Sequence, residues 1–280
     1  MSTAWAALLF VPADAGRFVD SALKHRPDAV ILDLEDGVAP SAKVAARAAI
    51  AGCQRRLKTA GIDVVVRISG GLPDMVHDLA ALDLEALDAV MVAKASDERP
   101  LLNAGEILAA AGPRRPGLIA LVESPAALPR LERIASVPGV IGVMFGPEDY
   151  AADLGVSPDT GALTVPATLV AAACAGRSLF AIGLAGSLAS FRDLDAYAAK
   201  VGHARSIGFT GAAAIHPAQL PVLRAGFRPG EAEIARARRI VEAFDAAIGR
   251  GDGAVALDGA MIDAPVAARA RALLARAGAI

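Results

Sequence analysis

Three carboxylates follow a short apolar run in the segment AVILDLEDGVAP, residues 29–40. They are Asp33, Glu35 and Asp36. The apolar run that precedes them has the length and composition of a buried strand. Removing charged groups from water is costly unless they are paired or bound to a metal. A buried strand that ends in three acids therefore indicates a cation or a polar ligand beside it.

Charged or polar residues also stand at the ends of other apolar runs. They are Arg67, Lys94, Glu123, Glu148, Asp149 and His216. The acids offer oxygen ligands, which favour Mg²⁺, with Mn²⁺ as the second candidate. Any one acid could instead cap a helix or form an ion pair, but the same explanation would then be needed at the ends of three strands. Arg67 is suited to hold a substrate carboxylate, although a structural ion pair is the alternative.

Lys94 and His216 have simpler interpretations. Lys94 could form a Schiff base, but we favour an ion pair with Glu35 or Asp36, behind the metal ligands. His216 precedes Pro217 and could serve only to fix a turn.

Eight short apolar runs alternate with helix-like stretches. They cover residues 7–12, 28–34, 63–69, 88–94, 117–123, 139–146, 178–183 and 211–217. Nearly continuous hydrophobic runs are typical of parallel strands covered on both faces. Stretches such as 41–58 and 125–137 have the apolar spacing of helices. The pattern predicts an α/β fold, a (β/α)8 TIM barrel with its site at the carboxyl ends of the strands. An open doubly wound sheet is the competitor, but no glycine-rich dinucleotide motif follows the first run.

The end of the chain differs from the repeating part. We predict a barrel domain over residues 1–249, with its last helix at 231–249, and a C-terminal arm with a short helix over residues 250–280. Gly251 and Gly259 indicate an irregular, turning segment.

Composition excludes several classes of protein. The net charge of −2 argues against nucleic acid as a partner, and no apolar stretch is long enough to cross a membrane. The start has no basic region of the kind that signal peptides carry. Cys53 and Cys174 are the only cysteines, too few for a disulfide framework. We therefore expect a cytoplasmic protein.

Several segments together resemble the citrate lyase β-subunit-like branch of the HpcH/HpaI aldolase superfamily. They are LFVPADAGRF, VILDLEDGVAPSAKVAAR, VRIS, LVESPAALPRLERIA, FGPEDY, GFTGAAAIHPAQL and GAMIDAP, from Leu9 to about Pro265. The resemblance implies a magnesium-dependent (β/α)8 lyase that forms a trimer or a hexamer. Such enzymes make or break a C–C bond between an acyl-CoA and a 2-oxo acid such as oxaloacetate, glyoxylate or pyruvate.

The resemblance also assigns roles at the metal. Glu123 and Asp149 match the two metal carboxylates, and Arg67 matches the arginine that holds the oxo-acid carboxylate. Glu35 and Asp36 match the acidic pair near the metal-bound waters.

Further matches concern the proton transfer and the acyl carrier. Asp263 lies just before Pro265, and the N-cap of a helix is one interpretation of it from the residues alone. The resemblance gives another, since Asp263 matches a catalytic aspartate that reaches the site of a neighbouring subunit, which implies a C-terminal arm extended toward that subunit. Phe10, Ala214 and Ile215 match places that line the CoA channel, and we count Glu148 among the substrate-binding residues.

Four departures from the family pattern lie mainly on the CoA side. Ala15 stands where many members carry a phosphate-binding arginine, and Ala260 replaces a lysine. Ser69 replaces an asparagine, and the segment 183–186, GLAG, replaces an acidic motif. The metal end of the site thus matches the family, whereas the CoA end departs from it.

These observations predict a Mg²⁺-dependent C–C lyase acting on a malyl-, citramalyl- or citryl-CoA-like thioester. One alternative is a metal-dependent aldolase acting on free 2-oxo acids without CoA. A second alternative, from another class, is a non-catalytic metal-binding partner protein.

Overall fold

The structure is a computed structural model that describes residues 5–13, 16–189 and 191–278. Eight parallel strands form its main sheet. They are β1 (Ala7–Pro12), β2 (Ala29–Asp33), β3 (Asp63–Ile68), β4 (Ala89–Val92), β5 (Gly117–Val122), β6 (Val140–Phe145), β7 (Phe180–Ile182) and β8 (Ala212–Ala214). Neighbours run in the order β7-β6-β5-β4-β3-β2-β1-β8, and a parallel bridge from Ile182 to Gly211 joins the two ends. The predicted TIM-barrel fold is confirmed.

Helices follow the strands. Their bounds are α1 (Gly16–His25), α2 (Lys43–Thr59), α3 (Leu72–Ala80), α4 (Arg99–Ala111), α5 (Leu131–Ala135), α6 (Pro147–Leu154), α7 (Thr164–Ala175), α8 (Leu194–Ser206), α9 (Leu220–Phe227), α10 (Glu231–Gly249) and α11 (Ala264–Arg276). Among the described residues, none of these helices combines the length and the apolar composition needed to cross a bilayer.

The strands form because their side chains are buried on both sides. All five residues of β2 and all four of β4 are buried, as expected for parallel strands enclosed by helices. Apolar side chains such as Ile31, Met91 and Ile119 form the main core cluster. At the amino-terminal end of the barrel, the Trp5 ring stacks on Phe180 with ring centroids 5.2 Å apart.

One predicted helix has a different form. Residues 125–137 begin as a 3₁₀ helix, Pro125–Arg130, and only then continue as the short α5. Pro129 lies inside this segment, and proline removes the N–H that an α-helix would use there.

Residues 225–278 form a compact unit of their own, and residues 5–224 form another. In the C-terminal unit, α10 packs against α11, and a two-stranded antiparallel hairpin joins them, β9 (Val255–Leu257) and β10 (Ala260–Ile262). Asp258 and Gly259 both have positive φ at its turn, which is the Asp-Gly signal for a tight hairpin. The segment expected to be irregular therefore contains a regular hairpin.

The fold neither confirms nor contradicts two of the sequence-based expectations. The division of the chain at residue 249 remains a prediction. Ala15, the position of the missing arginine, lies outside the described residues.

Barrel closure depends on the absence of a side chain at Gly211. A Cβ there would lie 2.0 Å from the backbone oxygen of Trp5, and backbone of the neighbouring segment cannot yield as a flexible side chain can. Gly211→Ala should therefore lower the free energy of unfolding by about 1–3 kcal/mol, measured by urea denaturation.

Gly52→Ala is the matched control, because Gly52 lies inside α2 with open space where a Cβ would be. That substitution should raise stability by about 0.5–1 kcal/mol. Equal effects at the two positions would contradict our account of the closure.

Candidate active site

The charged residues predicted from the sequence lie at one rim of the barrel, because the carboxyl ends of parallel strands meet there. They are Glu35 and Asp36 after β2, Arg67 in β3, Lys94 after β4, Glu123 after β5, and Asp149 in the first turn of α6. Direct contacts link them. Lys94 contacts both Glu123 and Glu35, and Glu35 lies 3.5 Å from Arg67.

Glu123 is a buried carboxylate with a second carboxylate next to it. Its side chain is only 5% exposed, and Asp149 lies within hydrogen-bonding reach. Burial raises the pKa of Glu123 to about 8; the N–H of Lys94 opposes this, and the charge of Asp149 adds to it. A Cβ at Gly146 would lie 2.9 Å from the Glu123 Cβ, so this glycine allows β6 to end close beside the carboxylate.

Arg67 is held by a carboxylate that the sequence analysis did not assign to the site. Asp33 accepts hydrogen bonds from Arg67 Nε at 2.7 Å and from Nη2 at 2.5 Å. It also accepts the backbone N–H groups of Glu35 and Gly37. Burial lowers the pKa of Arg67, but the hydrogen bond and charge of Asp33 outweigh it and raise that pKa. The guanidinium lies over the ring of Phe10, 5.1 Å from its centroid.

Lys94 bridges the acidic pair. Its Nζ lies 2.7 Å from Glu35 Oε1 and 3.0 Å from Asp36 Oδ2. The hydrogen bond to Glu35 raises the pKa of Lys94, which keeps the ammonium protonated and disfavours the Schiff-base alternative. Burial by itself raises the pKa of Asp36, yet the hydrogen bond from Lys94 holds it below its usual value.

Glu148 contacts a loop in the protein. Its Oε1 accepts the Ser187 hydroxyl at 2.6 Å and the Leu188 N–H at 3.1 Å, in the loop between β7 and α8. The same loop is held from the other side by Gln219, whose Nε2 donates to the Leu188 oxygen at 2.9 Å. The role of Glu148 in substrate binding remains a prediction.

A pocket of about 450 Å³ opens where β1 and β8 end. Phe10 and Ile215 both line it, together with His216. Ala214 is buried in β8 and pairs with Leu9. The His216 ring accepts the N–H of Ala218 and so fixes the turn, which agrees with the simpler interpretation of this residue.

Asp263 lies in the C-terminal unit, where it is the N-cap of α11. Its Oδ1 accepts the N–H of Val266 at 3.2 Å. This contact gives the residue a structural role; its catalytic role remains a prediction.

The segment that replaces an acidic motif of the family begins at a glycine with an unusual backbone conformation. Gly183 has a φ of +148°, and a Cβ there would lie 3.0 Å from the backbone oxygen of Phe145. Any other residue at this position would be strained in the present conformation.

Sequence reasoning missed the supporting residues. Asp33 stood in the conspicuous acidic run, and its strand-end position was a usable signal. Gln219 lies in the segment GFTGAAAIHPAQL, which carries part of the family resemblance, but its contacts could not be read from it. Ser187 gave no signal, because its hydrogen bond to Glu148 joins separate loops.

The arrangement offers a cation site beside an anion site. Across the described ranges no group of three or more His, Cys, Asp or Glu side chains forms a cage for a metal. Two carboxylates suffice for Mg²⁺, which usually retains several waters and takes further oxygens from the substrate. Arg67 supplies positive charge on the neighbouring side.

Comparison with known proteins agrees with this geometry. The sequence model of the HpcH/HpaI aldolase/citrate lyase family matches residues 6–217. A citrate lyase subunit beta-like protein of Mycobacterium tuberculosis is 36% identical over 285 residues, covering 96% of this chain and 94% of the relative. A (3S)-malyl-CoA thioesterase of Cereibacter sphaeroides is 32% identical over 278 residues, covering 98% and 94%. The predicted resemblance is confirmed.

Solved structures agree as well. The M. tuberculosis CitE protein in complex with magnesium, acetoacetate and coenzyme A superimposes with a TM-score of 0.77 at 32% identity, covering 98% of both chains. The citrate lyase beta subunit of that organism complexed with oxaloacetate and magnesium gives a TM-score of 0.67 at 30% identity, covering 81% of this chain and 98% of that one.

The Asp33–Arg67 pair should be a major determinant of stability. Asp33→Asn keeps the size of the side chain but leaves the buried guanidinium without its closest negative charge. Breaking a buried pair in this way typically costs about 3–5 kcal/mol of unfolding free energy, which urea denaturation would measure.

Asp20→Asn provides the matched control, since Asp20 pairs with Arg56 while 65% of its side chain is exposed. Exposed pairs contribute little, so this variant should unfold near the wild-type midpoint. A similar result for Asp33→Asn would show that the rim does not depend on this pair.

Proposed function

Because the chain belongs to the HpcH/HpaI aldolase/citrate lyase family, we propose that it is a Mg²⁺-dependent carbon–carbon lyase. Its substrate is a malyl-, citramalyl- or citryl-CoA-like thioester, cleaved to an acyl-CoA and a 2-oxo acid, or formed from them. The observation that carries the proposal is the buried Glu123 carboxylate beside Asp149, next to an arginine held by Asp33. The magnesium, oxo-acid and coenzyme A complexes of the similar structures support it.

The residues present fit a divalent cation. Glu123 is buried, its ionisation is opposed by burial and by Asp149, and a positive ion between the two carboxylates would remove that opposition. Both donors are hard oxygens, as Mg²⁺ prefers. When bound, the ion supplies Lewis-acid polarisation of the substrate oxygens.

Arg67 neutralises the carboxylate of the oxo-acid part. Asp33 engages Nε and Nη2, so Nη1 is the remaining end of the guanidinium, 3.5 Å from Glu35 Oε2. Phe10 lies against the guanidinium plane and limits its movement. The arginine is therefore oriented before substrate binds, which lowers the entropic cost of the productive geometry.

Cleavage requires one proton to leave and one to be delivered. The proton of the 3-hydroxyl is lost as the C–C bond breaks, the hydroxyl-bearing carbon becomes the carbonyl of the oxo acid, and the thioester fragment departs as an enolate that takes up a proton. We assign the acid–base role in these proton transfers to Asp263 of a neighbouring subunit in a homotrimer or hexamer.

Thioester hydrolysis is the second candidate function. It is favoured by the similarity to the (3S)-malyl-CoA thioesterase. The two reactions differ in their products, since the lyase releases a 2-oxo acid and hydrolysis releases free CoA thiol.

Glu123→Gln should abolish turnover of the thioesters, because it removes a proposed metal ligand. It should also lower Mg²⁺ affinity more than Asp36→Asn does, since Asp36 is not a direct ligand and its substitution should lower that affinity by only roughly 10–100-fold. Isothermal titration with Mg²⁺ measures binding, and parallel assays of oxo acid and free thiol, with and without EDTA, measure the two reactions.

The control is Glu132→Gln, which removes an exposed carboxylate paired with Arg177. It should behave as wild type. Turnover that persists in Glu123→Gln and in EDTA would rule out the metal-dependent mechanism, and thiol release without oxo acid would favour the hydrolase.

Asp263→Asn should retain the fold and Mg²⁺ binding but lose turnover by about 10²–10⁴-fold, the usual contribution of an acid–base group. Asparagine keeps the N-cap acceptor, so helix α11 stays capped. Mixing this variant with Glu123→Gln subunits under exchange conditions should restore part of the activity, because some sites then combine an intact rim with an intact aspartate.

Asp193→Asn is the matched control, since Asp193 is likewise the N-cap of a helix, α8. It should keep full activity. If subunit exchange is demonstrated but activity does not recover, the assignment in trans is refuted. If Asp193→Asn and Asp263→Asn lose activity equally, Asp263 serves only as a helix N-cap.

A further inference from the structure

Lys94 has a backbone conformation that is unfavourable for its type. Its φ is +54°, in the left-handed region that L-residues other than Asn, Asp and Gly enter at a cost. Within the described chain, Arg26, Ser178 and Asp258 also have positive φ. Arg26 shows an ordinary use of that conformation, because its N–H returns to the Ala22 oxygen at the end of α1.

At Lys94 the conformation serves a different purpose. The N–H of Ala93 donates to Ile68 of β3, and the N–H of Ala95 donates to Leu121 of β5, so both neighbours continue the pairing of the sheet. The N–H between them leaves the ladder and donates to Glu123 Oε1 at 2.8 Å. A positive φ at this position therefore directs a backbone donor at the buried carboxylate.

The side chain of the same residue extends to the acidic pair. Its Nζ lies 2.7 Å from Glu35 and 3.0 Å from Asp36. One residue thus contacts the buried carboxylate through its backbone and the carboxylates after β2 through its ammonium. A change in the backbone at position 94 would disturb both contacts.

We propose that Lys94 is a positioning residue whose left-handed backbone conformation holds Glu123 in the orientation that binds the divalent cation. This inference rests on the proposed function, because it requires Glu123 to be a metal ligand. The conformational cost is offset when the cation binds, since cation binding needs the Glu123 carboxylate fixed by the Lys94 N–H. A residue at position 94 that tolerates positive φ poorly would leave this conformation more often, and cation binding would then have to restore it.

The test compares substitutions that all remove the ammonium but differ in how well they tolerate positive φ. Asn tolerates it, Ala tolerates it less, and the β-branched Val least. Mg²⁺ affinity, titrated calorimetrically with the metal alone, should fall in the order Lys94→Asn, Lys94→Ala, Lys94→Val. The first and last should differ by roughly tenfold, given the usual cost of this conformation.

Ser178→Asn and Ser178→Val are the matched controls, because Ser178 has a φ of +56° and is exposed, away from the rim. The valine variant there should be less stable to urea than the asparagine variant, with equal Mg²⁺ affinities. If Lys94→Val does not fold, as judged by circular dichroism, the comparison of Lys94→Asn with Lys94→Ala decides.

The outcomes separate this inference from the proposed function. Wild-type protein that binds no Mg²⁺ would overturn the proposed function itself. Wild-type binding with equal affinities across the Lys94 variants, and differences only in stability, would overturn the positioning role and leave the metal site intact.

Discussion

Charged groups enclosed at the rim of a barrel must be compensated, and that constraint organises the site. Asp33 and Arg67 satisfy each other, and Lys94 joins the acids after β2. Glu123 receives a backbone N–H but also faces Asp149, so its ionised form remains opposed. Arg67 and Lys94 both direct their side chains to acids of β2 and of the segment after it, whereas Lys94 contacts Glu123 through its backbone N–H. A divalent cation would compensate Glu123 and Asp149 together.

The strands were predictable because their burial requires a local run of apolar residues in the sequence. Parallel strands covered on both faces are continuous apolar runs, and each predicted run contains an observed strand. The pairing of Asp33 with Arg67 has no such local pattern, because the two residues are far apart in the sequence. It follows from the register of β2 against β3, which places these two residues side by side. Sequence reasoning therefore found Arg67 and allowed for an ion pair there, but it could not name Asp33 as the partner.

Other differences come from local chemistry that overrides periodicity. The start of a predicted helix, where Pro129 interrupts the α-helical hydrogen bonding, is a 3₁₀ helix. The turn of Asp258 and Gly259 makes a hairpin out of a glycine-rich segment. Asp263 could be placed at a helix start from sequence, because Asp two residues before Pro is a common N-cap pattern. Whether such a residue also does chemistry depends on the groups that surround its carboxylate, which local sequence does not encode.

Buried polar side chains also hold the loops at the rim in place. Gln219 is fully buried, and its oxygen accepts the N–H groups of Ile215 and His216 while its nitrogen donates to Leu188. Glu148 holds Leu188 from the other side. A buried amide with both ends satisfied is costly to disrupt, so these hydrogen bonds join the loop after β7 to the turn after β8. His216 of that turn lines the pocket beside β1, and Glu148 directly precedes Asp149. The same hydrogen bonds therefore connect the lining of the pocket with the segment that carries one of the proposed metal ligands.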